Sequence, residues 1–290
     1  MKQRAFIFII LAGIFWGTSA IFVHFLAPFG FSSLQMTFLR SLVSLLALFL
    51  YILFHDTTLF KVNARDLILF AAIGLSFFGT ASCYFSSMQM TSVSTAVVLM
   101  YTAPILVMIY SVLFLGEKLT PLKTISVAAM VIGCGLVSGI IGGLKFNPLG
   151  IAIGFLSGIS YAAYNILTKI AMRKSSNPFT VTLYCFLFST IISFFVCNPQ
   201  SIPENISQTP AFTLPMILAM GICTCFLPYI LYTTAMKSLP AGTASSLGII
   251  EPMAATVFSV VLFNEPLSFF SILGIVLILG SVFLLSKSES

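Results

Sequence analysis

The stretch Gly242 to Leu267, GTASSLGIIEPMAATVFSVVLFNEPL, is apolar enough to cross a bilayer and places Glu251 and Pro252 side by side near its middle. A carboxylate and a helix-breaking proline are both costly in hydrocarbon unless they face other protein groups or a water-filled space. We therefore expect an interrupted membrane helix here, and we expect the interruption to carry function.

A second stretch, Ser94 to Leu119, repeats this pattern as STAVVLMYTAPILVMIYSVLFLGEKL, and a shift of 148 residues superimposes the two. The identical positions are Thr95, Ala96, Leu99, Pro104, Ser111, Val112, Glu117 and Leu119, matched by Thr243, Ala244, Leu247, Pro252, Ser259, Val260, Glu265 and Leu267. A shift of 145 residues also places residues 13–17 (GIFWG) on residues 158–162 (GISYA). The sequence therefore predicts a duplication, with residues 1–143 as the first copy and 144–290 as the second.

The composition is that of a membrane protein with many spanning helices. Hydrophobic residues make up 59 % of the 290 residues, charged residues only 7 %, and the mean hydropathy is +1.12. A membrane helix needs about 20 apolar residues. Such runs lie at residues 5–26, 33–54, 67–88, 93–114, 121–140, 148–170, 178–197, 212–236, 242–263 and 267–286. We predict an all-α polytopic fold of ten transmembrane helices, five in each copy, surrounded by the lipid bilayer.

Basic residues orient these helices, because short cytoplasmic loops are enriched in lysine and arginine. If the N-terminus is cytoplasmic, eleven basic residues fall on that side, only Lys145 falls in an outer loop, and Arg40 lies within a span. We expect both termini to be cytoplasmic, in an inner or plasma membrane. Since five is an odd number, the second copy is inverted relative to the first. The net charge of +6 is spread over short loops, so we expect no nucleic-acid partner.

Four short motifs stand in a fixed order along the chain. Trp16-Gly17 lies in the first helix, Pro104 in the fourth, Gly116-Glu117 at the end of the fourth, and Glu251-Pro252 in the ninth. In this order and spacing, nearly the whole chain resembles the EamA-type transporters of the drug/metabolite transporter superfamily. The resemblance implies a secondary transporter of ten helices, often an exporter of amino acids or other small metabolites. It also implies a central cavity lined mainly by helices one, three, four, six, eight and nine.

Glu251 is the first candidate for a functional side chain, because a carboxylate inside the membrane is costly and usually faces the interior of the bundle. The two copies differ here, since Ala103 occupies the corresponding position of the first copy. Glu251 could bind an amine of the substrate or carry a proton, so proton coupling and facilitated diffusion both stay open. The alternative is a structural carboxylate that is paired with Arg40 or hydrogen-bonded at the break beside Pro252.

Arg40 lies in the second span, about eight residues from its outer end. At the rise of an α-helix this is a depth of about 11 Å, too deep for the guanidinium to reach water easily. Such an arginine can clamp a carboxylate or a phosphate. The resemblance does not count the second helix among the main cavity helices, so we favour a structural ion pair between helices.

Pro104 and Pro252 are the expected hinges. Each proline removes one backbone hydrogen bond and frees the carbonyl four residues earlier, at Met100 and Gly248. Helices broken at matching places in two repeats are the best sequence indication of a transport site. The alternative is a fixed kink that serves only packing.

Aromatic and polar side chains fall near the middle of several spans, although tyrosine usually marks the membrane interfaces. We expect the following to contact the substrate together with Glu251: Trp16, Tyr84, Tyr101, Tyr161, Asn165 and Tyr229. Trp16 and Tyr161 are also partners in the repeat and are predicted to face each other across the cavity. Packing is the better explanation of each residue taken singly, whereas together they fit an amphipathic pocket.

Motifs of catalysis, metal binding and nucleotide binding are missing from the sequence. It contains no HExxH, Walker loop, GxSxG or cysteine–histidine cluster at ligand spacing. We therefore expect no enzyme, no metal and no cofactor. The predicted function is the transport of a small polar or amphipathic molecule by alternating access, as the two copies rock about a central site. The alternatives are a nucleotide-sugar or nucleobase carrier and a non-transporting scaffold subunit, and a homodimer stays open.

Overall fold

The computed structural model describes residues 2–139, 147–174, 176–264, 266 and 268–289. Over these ranges it contains ten long helical elements, which we number α1 to α10. Their bounds are Lys2–Phe29 (α1), Ser33–His55 (α2), Ala64–Met90 (α3), Val93–Phe114 (α4), Pro121–Val137 (α5), Pro148–Arg173 (α6), Pro178–Val196 (α7), Pro210–Ala235 (α8), Ala241–Phe263 (α9) and Phe269–Ser288 (α10). Within the described ranges nine of these are long and apolar enough to span a membrane, and α5 is shorter. The predicted all-α fold of ten helices is confirmed.

Several helix starts follow from local capping chemistry. The side chains of Ser32, Asn63 and Ser92 accept hydrogen bonds from backbone N–H groups in the first turns of α2, α3 and α4. α6 and α7 each begin with a proline that follows a capping asparagine, Asn147 or Asn177. These caps satisfy N–H groups that a helix leaves unpaired at its N-terminus. The starts are therefore set by polar residues at the ends of the apolar runs.

The two copies interdigitate. The most extensive helix contacts join one copy to the other, since α3 packs on α6, α5 on α10, α2 on α7, and α1 on α8 and α9. α4 likewise packs on α6 and α9. The main buried core draws its side chains from both copies and lies between them. The predicted boundary between the copies, at residues 143 and 144, lies outside the described residues, as do Lys145 and Glu265.

Two glycines bring helices of different copies into close contact. A Cβ added to Gly13 would lie 2.9 Å from the Cβ of Ile250, and one added to Gly158 would lie 2.5 Å from Oγ1 of Thr102. Gly13 and Gly158 are partners at the shift of 145, and Thr102 and Ile250 are partners at the shift of 148. The same close approach, which leaves no room for a side chain, therefore occurs twice in the inverted repeat.

Four of the helices are interrupted. A turn at residues 101–102 divides α4, and a turn at residues 248–249 divides α9. Both breaks lie just before the prolines that the sequence marked. The structure also contains two interruptions that the sequence did not predict, a turn at Thr18 of α1 and a π-helical stretch at Ile222–Phe226 of α8. Such irregular turns are frequent at functional sites, and all four helices contribute to the cavity described next.

Candidate functional site

A cavity of about 780 Å³ lies between the helices. Its wall is formed mainly by side chains of α1, α2, α3, α4, α6, α8 and α9. His24, Ser33, Val93 and Phe263 line it near the ends of their helices, which marks the mouth of the cavity at that end of the bundle. The volume is that of a small-molecule site.

Glu251 lies in the cavity wall, two residues after the break in α9. The hydroxyl of Tyr101, from the break in α4, donates a hydrogen bond of 2.9 Å to the carboxylate and lies 3.3 Å from the carbonyl oxygen of Gly248. The N–H of Glu251 donates to that carbonyl at 3.0 Å, so the group freed by Pro252 is satisfied. Of the two structural roles considered for Glu251, the structure contains the hydrogen bond at the break.

Arg40 also lies on the cavity wall, together with Thr37 of the same helix. α2 therefore contributes to a cavity that the resemblance assigned mainly to other helices. The guanidinium carbon lies 5.8 Å from the centroid of the Phe77 ring, and Nε is buried without a hydrogen-bond partner. The structural ion pair predicted for Arg40 stays a prediction, since Glu251 takes its hydrogen bond from Tyr101.

Tyr229 is at the centre of a cluster of aromatic rings in the wall. Its ring centroid lies 5.1 Å from those of Trp16 and Phe77, and 5.7 Å from that of Tyr164. These rings meet edge to face, an arrangement in which aromatic side chains attract each other. Since Arg40 lies over Phe77, the cluster reaches the guanidinium.

The same cluster continues towards the carboxylate. The ring centroids of Tyr164 and Tyr161 are 6.5 Å apart, and those of Tyr161 and Tyr101 are 6.3 Å apart. Tyr101 then donates to Glu251. The wall therefore carries an acidic group and a basic group connected by a series of aromatic rings, which suits a molecule with polar ends and an apolar body.

Most predicted substrate contacts line the cavity. They are Trp16, Tyr84, Tyr101, Tyr161, Tyr229 and Glu251, and the predicted hinge Pro252 lines it as well. Asn165 does not, because its fully buried side chain donates a 2.7 Å hydrogen bond to the carbonyl of Tyr161 and accepts one from the hydroxyl of Tyr232. Asn165 thus supports the wall from behind. Pro104 is buried beside the break in α4, outside the cavity lining.

The sequence contains a further indication of the cavity. Tyr84 and Tyr229 are 145 residues apart, the same shift that relates Trp16 to Tyr161, and all four residues line the cavity. The repeat therefore supplies two pairs of aromatic side chains. Comparing the mid-helix aromatic residues at this one shift would have identified both pairs.

A stacked pair lies at the mouth. The imidazole of His24 stacks on the ring of Phe263, with centroids 4.1 Å apart. This contact joins the end of α1 to the end of α9. No sequence pattern indicates it, because the two residues lie in different copies and far apart in the chain.

The opposite end of the bundle is closed by charged side chains bound to helix ends. The carboxylate of Glu117 accepts hydrogen bonds from the N–H groups of Ala241, at 2.7 Å, and Gly242, at 3.4 Å, at the start of α9. The guanidinium of Arg173, at the end of α6, donates a 2.7 Å hydrogen bond to the carbonyl of Leu115 just after α4. Both contacts cross between the copies, and both place a charge where the helix dipole favours it.

A residue in the left-handed conformation precedes Glu117. Gly116 has a φ of +66°, which glycine adopts at little cost, and the chain turns there before the carboxylate reaches α9. Asn264 has a φ of +54° at the end of α9. The residue after it is Glu265, the counterpart of Glu117 in the repeat, which lies outside the described residues.

Lys169 adds a third contact at the closed end. Its ammonium group donates to the carbonyls of Met236, at 2.7 Å, and Leu239, at 2.5 Å, at the end of α8. The side chain is only 7 % exposed, so the charge depends on such partners. This contact lies within the second copy and fixes the chain between α8 and α9.

The chemical groups of the cavity suit binding by charge, hydrogen bonds and aromatic faces. Among the residues that the structure describes, no group of three or more histidine, cysteine, aspartate or glutamate side chains could hold a metal ion. Among the described residues, the cavity lining contains one carboxylate, at Glu251, one guanidinium, at Arg40, and the hydroxyl groups of several tyrosines.

Comparisons with known proteins agree with this architecture. The model of the EamA-like transporter family matches residues 3–139 and 148–287, one match in each copy. An uncharacterized transporter of Archaeoglobus fulgidus is 28 % identical over 94 % of this chain and 93 % of its own. The uncharacterized transporter YwfM of Bacillus subtilis is 25 % identical over 97 % of this chain and 93 % of its own.

Of two further similarities, one covers only part of each chain and the other is low in sequence identity. Phosphoenolpyruvate/phosphate translocator 1, a chloroplastic protein of Oryza sativa, is 27 % identical over 63 % of this chain and 47 % of its own. A solved crystal structure of a protein superposes with a TM-score of 0.82 at 18 % identity, covering 100 % of this chain and 98 % of the other, and therefore shows the same fold. Because the family model matches both copies over nearly their full length, the chain belongs to the EamA-like transporter family.

Proposed function

We propose that this membrane transporter carries a small polar or amphipathic metabolite, such as an amino acid or a related compound, by alternating access. The observation that carries the proposal is the cavity itself, which is open at one end of the bundle, closed at the other, and has Glu251 in its wall beside a helix break. Secondary transporters with inverted repeats bind their substrates at such discontinuous helices. The contacts of the cargo are Glu251 and the aromatic rings around Tyr229.

In this mechanism the closed end opens while the mouth closes. The hydrogen bonds of Glu117 and Arg173 then break, since they hold α4 to α9 and α6. The breaks beside Pro104 and Pro252 lie between the two ends and allow the two parts of each helix to reorient. Because the copies interdigitate, the moving bodies contain helices of both copies. A picture of one whole copy rocking against the other does not fit this packing.

Glu251 serves transport in one of two ways. As a carboxylate it pairs with an amine of the cargo, whose apolar part lies against the aromatic rings. As a group that gains and loses a proton it couples transport to the proton gradient. The two roles differ in their test, because only the second makes uptake depend on a pH difference across the membrane.

The basic residues orient the proposed cycle. Lys118, Lys123, Arg173 and Lys174 all lie at the closed end of the bundle, which we place in the cytoplasm together with both termini. The mouth of the cavity then faces the outside. Both importers and exporters pass through such a state, so the direction we propose, export through the cell membrane, rests on the resemblance to EamA-type transporters.

Binding and uptake by the purified protein test the proposal. Amino acids, amines, nucleosides and sugar nucleotides are screened by thermal shift, since a ligand of the folded state raises the Tm as its concentration rises. We expect amine-bearing compounds to raise the Tm and to be taken up by proteoliposomes. Glu251→Gln should lower the binding affinity for these compounds and their rate of uptake, each by about tenfold or more, because it removes a charged partner. Glu204→Gln is the matched control, since Glu204 is an exposed carboxylate outside the membrane helices.

The other outcomes identify the alternatives. A response to sugar nucleotides or nucleosides alone would indicate the nucleotide-sugar or nucleobase carrier. No Tm response and no uptake of any of these compounds would indicate a scaffold subunit. Uptake that is unchanged in Glu251→Gln at every pH would leave the transporter proposal standing and remove Glu251 from it.

A further inference from the structure

Arg40 is a partly buried cation whose guanidinium has a ring contact but no hydrogen bond to another side chain. Its Nε has no hydrogen-bond partner, and its guanidinium lies over the ring of Phe77 at 5.8 Å. A guanidinium carries five N–H donors, and a ring contact recovers only part of the cost of removing it from water. The carboxylate of Glu251 takes its hydrogen bond from Tyr101 instead. Arg40 on the cavity wall is therefore available for an acceptor that enters the cavity.

Trp16 gives a second, independent indication of the same kind. Its side chain is 5 % exposed and lines the cavity, and its Nε1 is buried without a hydrogen-bond partner. An indole N–H can only donate, so its need is for an acceptor. Trp16 and Arg40 contact two rings that are themselves adjacent. The ring of Tyr229 lies 5.1 Å from that of Trp16 and 5.1 Å from that of Phe77. The guanidinium of Arg40 lies over the ring of Phe77.

We propose that Arg40 and Trp16 form a subsite for an oxyanion of the cargo, a carboxylate or a phosphate. This inference rests on the proposed function, because it takes the cavity to be the cargo site. The planar fork of an arginine matches two oxygens of such a group, and the indole N–H supplies one more donor. The cargo then places its anion at Arg40, its apolar body along Tyr229 and Tyr164, and a cationic group at Glu251.

A purely structural role for Arg40 predicts a different behaviour of the ligand-free protein. If Arg40 is a staple between helices, Arg40→Gln lowers the Tm in the absence of ligand. If Arg40 instead serves to bind an anion, the substitution removes a partly buried charge that no carboxylate contacts directly, and the ligand-free Tm stays the same or rises. The control is Arg65→Gln, because Arg65 is exposed at the start of α3.

The decisive experiment uses four probes with the same branched apolar body. Isocaproate carries a carboxylate, isoamyl phosphate a phosphate, isoamylamine an amine, and leucine both a carboxylate and an amine. Their Kd values are measured by thermal shift at constant ionic strength. We expect Arg40→Gln to weaken isocaproate, isoamyl phosphate and leucine by about tenfold or more, and to leave isoamylamine unchanged. Trp16→Phe, which keeps a ring and loses the N–H, should weaken the anionic probes by a smaller factor.

Each further outcome has a definite meaning. A stronger effect of Arg40→Gln on isocaproate than on isoamyl phosphate identifies a carboxylate site, and the reverse identifies a phosphate site. Equal responses of wild type and Arg40→Gln to both anionic probes, including no response in either, would overturn the inference. A lower ligand-free Tm in Arg40→Gln with unchanged anion binding would do the same and restore the staple. Uptake of the probes into proteoliposomes is measured separately from binding. Anion binding that depends on Arg40 but is not followed by uptake would contradict the proposed transport function and leave the anion subsite standing.

Discussion

The two ends of the bundle are built from equivalent helix ends of an inverted repeat, yet they are held in opposite ways. At the closed end Glu117 and Arg173 connect α4 to α9 and α6 through backbone groups. At the other end the helices stand apart around the cavity mouth, where His24 stacks on Phe263. Charge–backbone contacts between helix ends are each worth only a few kcal/mol or less. A closure of this kind can be broken and rebuilt at modest cost, as alternating access requires.

The largest effect is expected between the two ends, where α6 meets the break in α4. In Gly158→Ala the new Cβ would lie 2.5 Å from Oγ1 of Thr102 and 2.7 Å from the carbonyl oxygen of Leu99, so the helices have to separate. We expect a loss of about 1–3 kcal/mol in the free energy of unfolding, with a lower Tm in detergent. Gly280→Ala is the control, since a Cβ there meets nothing within 4 Å. Equal Tm values for the two variants would contradict this close contact.

A smaller effect is expected from opening the closed end. Glu117→Ala removes the acceptor of the N–H groups of Ala241 and Gly242, and loss of such a helix cap costs about 0.5–2 kcal/mol. Hydrogen exchange of these two amides should become faster, because they lose their partner. Glu204→Ala, which removes an exposed carboxylate elsewhere, is the control. If the exchange rates of these amides do not change, Glu117 does not hold the closed end.

The smallest effect is expected at Arg173, which is exposed. Arg173→Gln removes the 2.7 Å hydrogen bond to the carbonyl of Leu115, and exposed charge contacts contribute about 1 kcal/mol or less. The Tm should change by less than in Glu117→Ala. Lys174→Gln, at the neighbouring exposed residue, is the control. A larger effect of Arg173→Gln than of Glu117→Ala would reverse the ranking and make the guanidinium the main closure.

The features that could be predicted from the sequence follow from the order of residues along a single helix or from the repeat. Ten apolar runs of membrane length predict ten helices, and Pro104 and Pro252 predict the interruptions observed just before them, at residues 101–102 and 248–249. The repeat shift likewise predicts that Trp16 and Tyr161 share a cavity, which the structure contains. Hydropathy, helix breaking and internal similarity are local properties, so they can be read without knowing which helices become neighbours.

The features that were not predictable depend on which side of a helix meets which neighbour. Arg40 lies on the cavity wall, although the second helix was expected to be peripheral. Asn165 lies behind the wall, where it binds Tyr232, because the rotation of α6 about its axis places it there. The hydrogen bond between Tyr101 and Glu251 joins residues in different copies. Spacing along one helix does not determine such contacts, because they arise only when helices pack together.

The interdigitation of the two copies has a consequence for how the chain is made. α1 to α5 are synthesised first, but their most extensive contacts are with α6 to α10, which leave the ribosome later. Until then Gly13 of α1 lacks its partner Ile250, and Glu117 after α4 lacks the N–H groups of α9 that it binds. We therefore expect the native packing of α1 to α5 to be completed only after α6 to α10 have been made. The two copies, expressed as separate chains, would be expected to mature only when both are present in the same membrane.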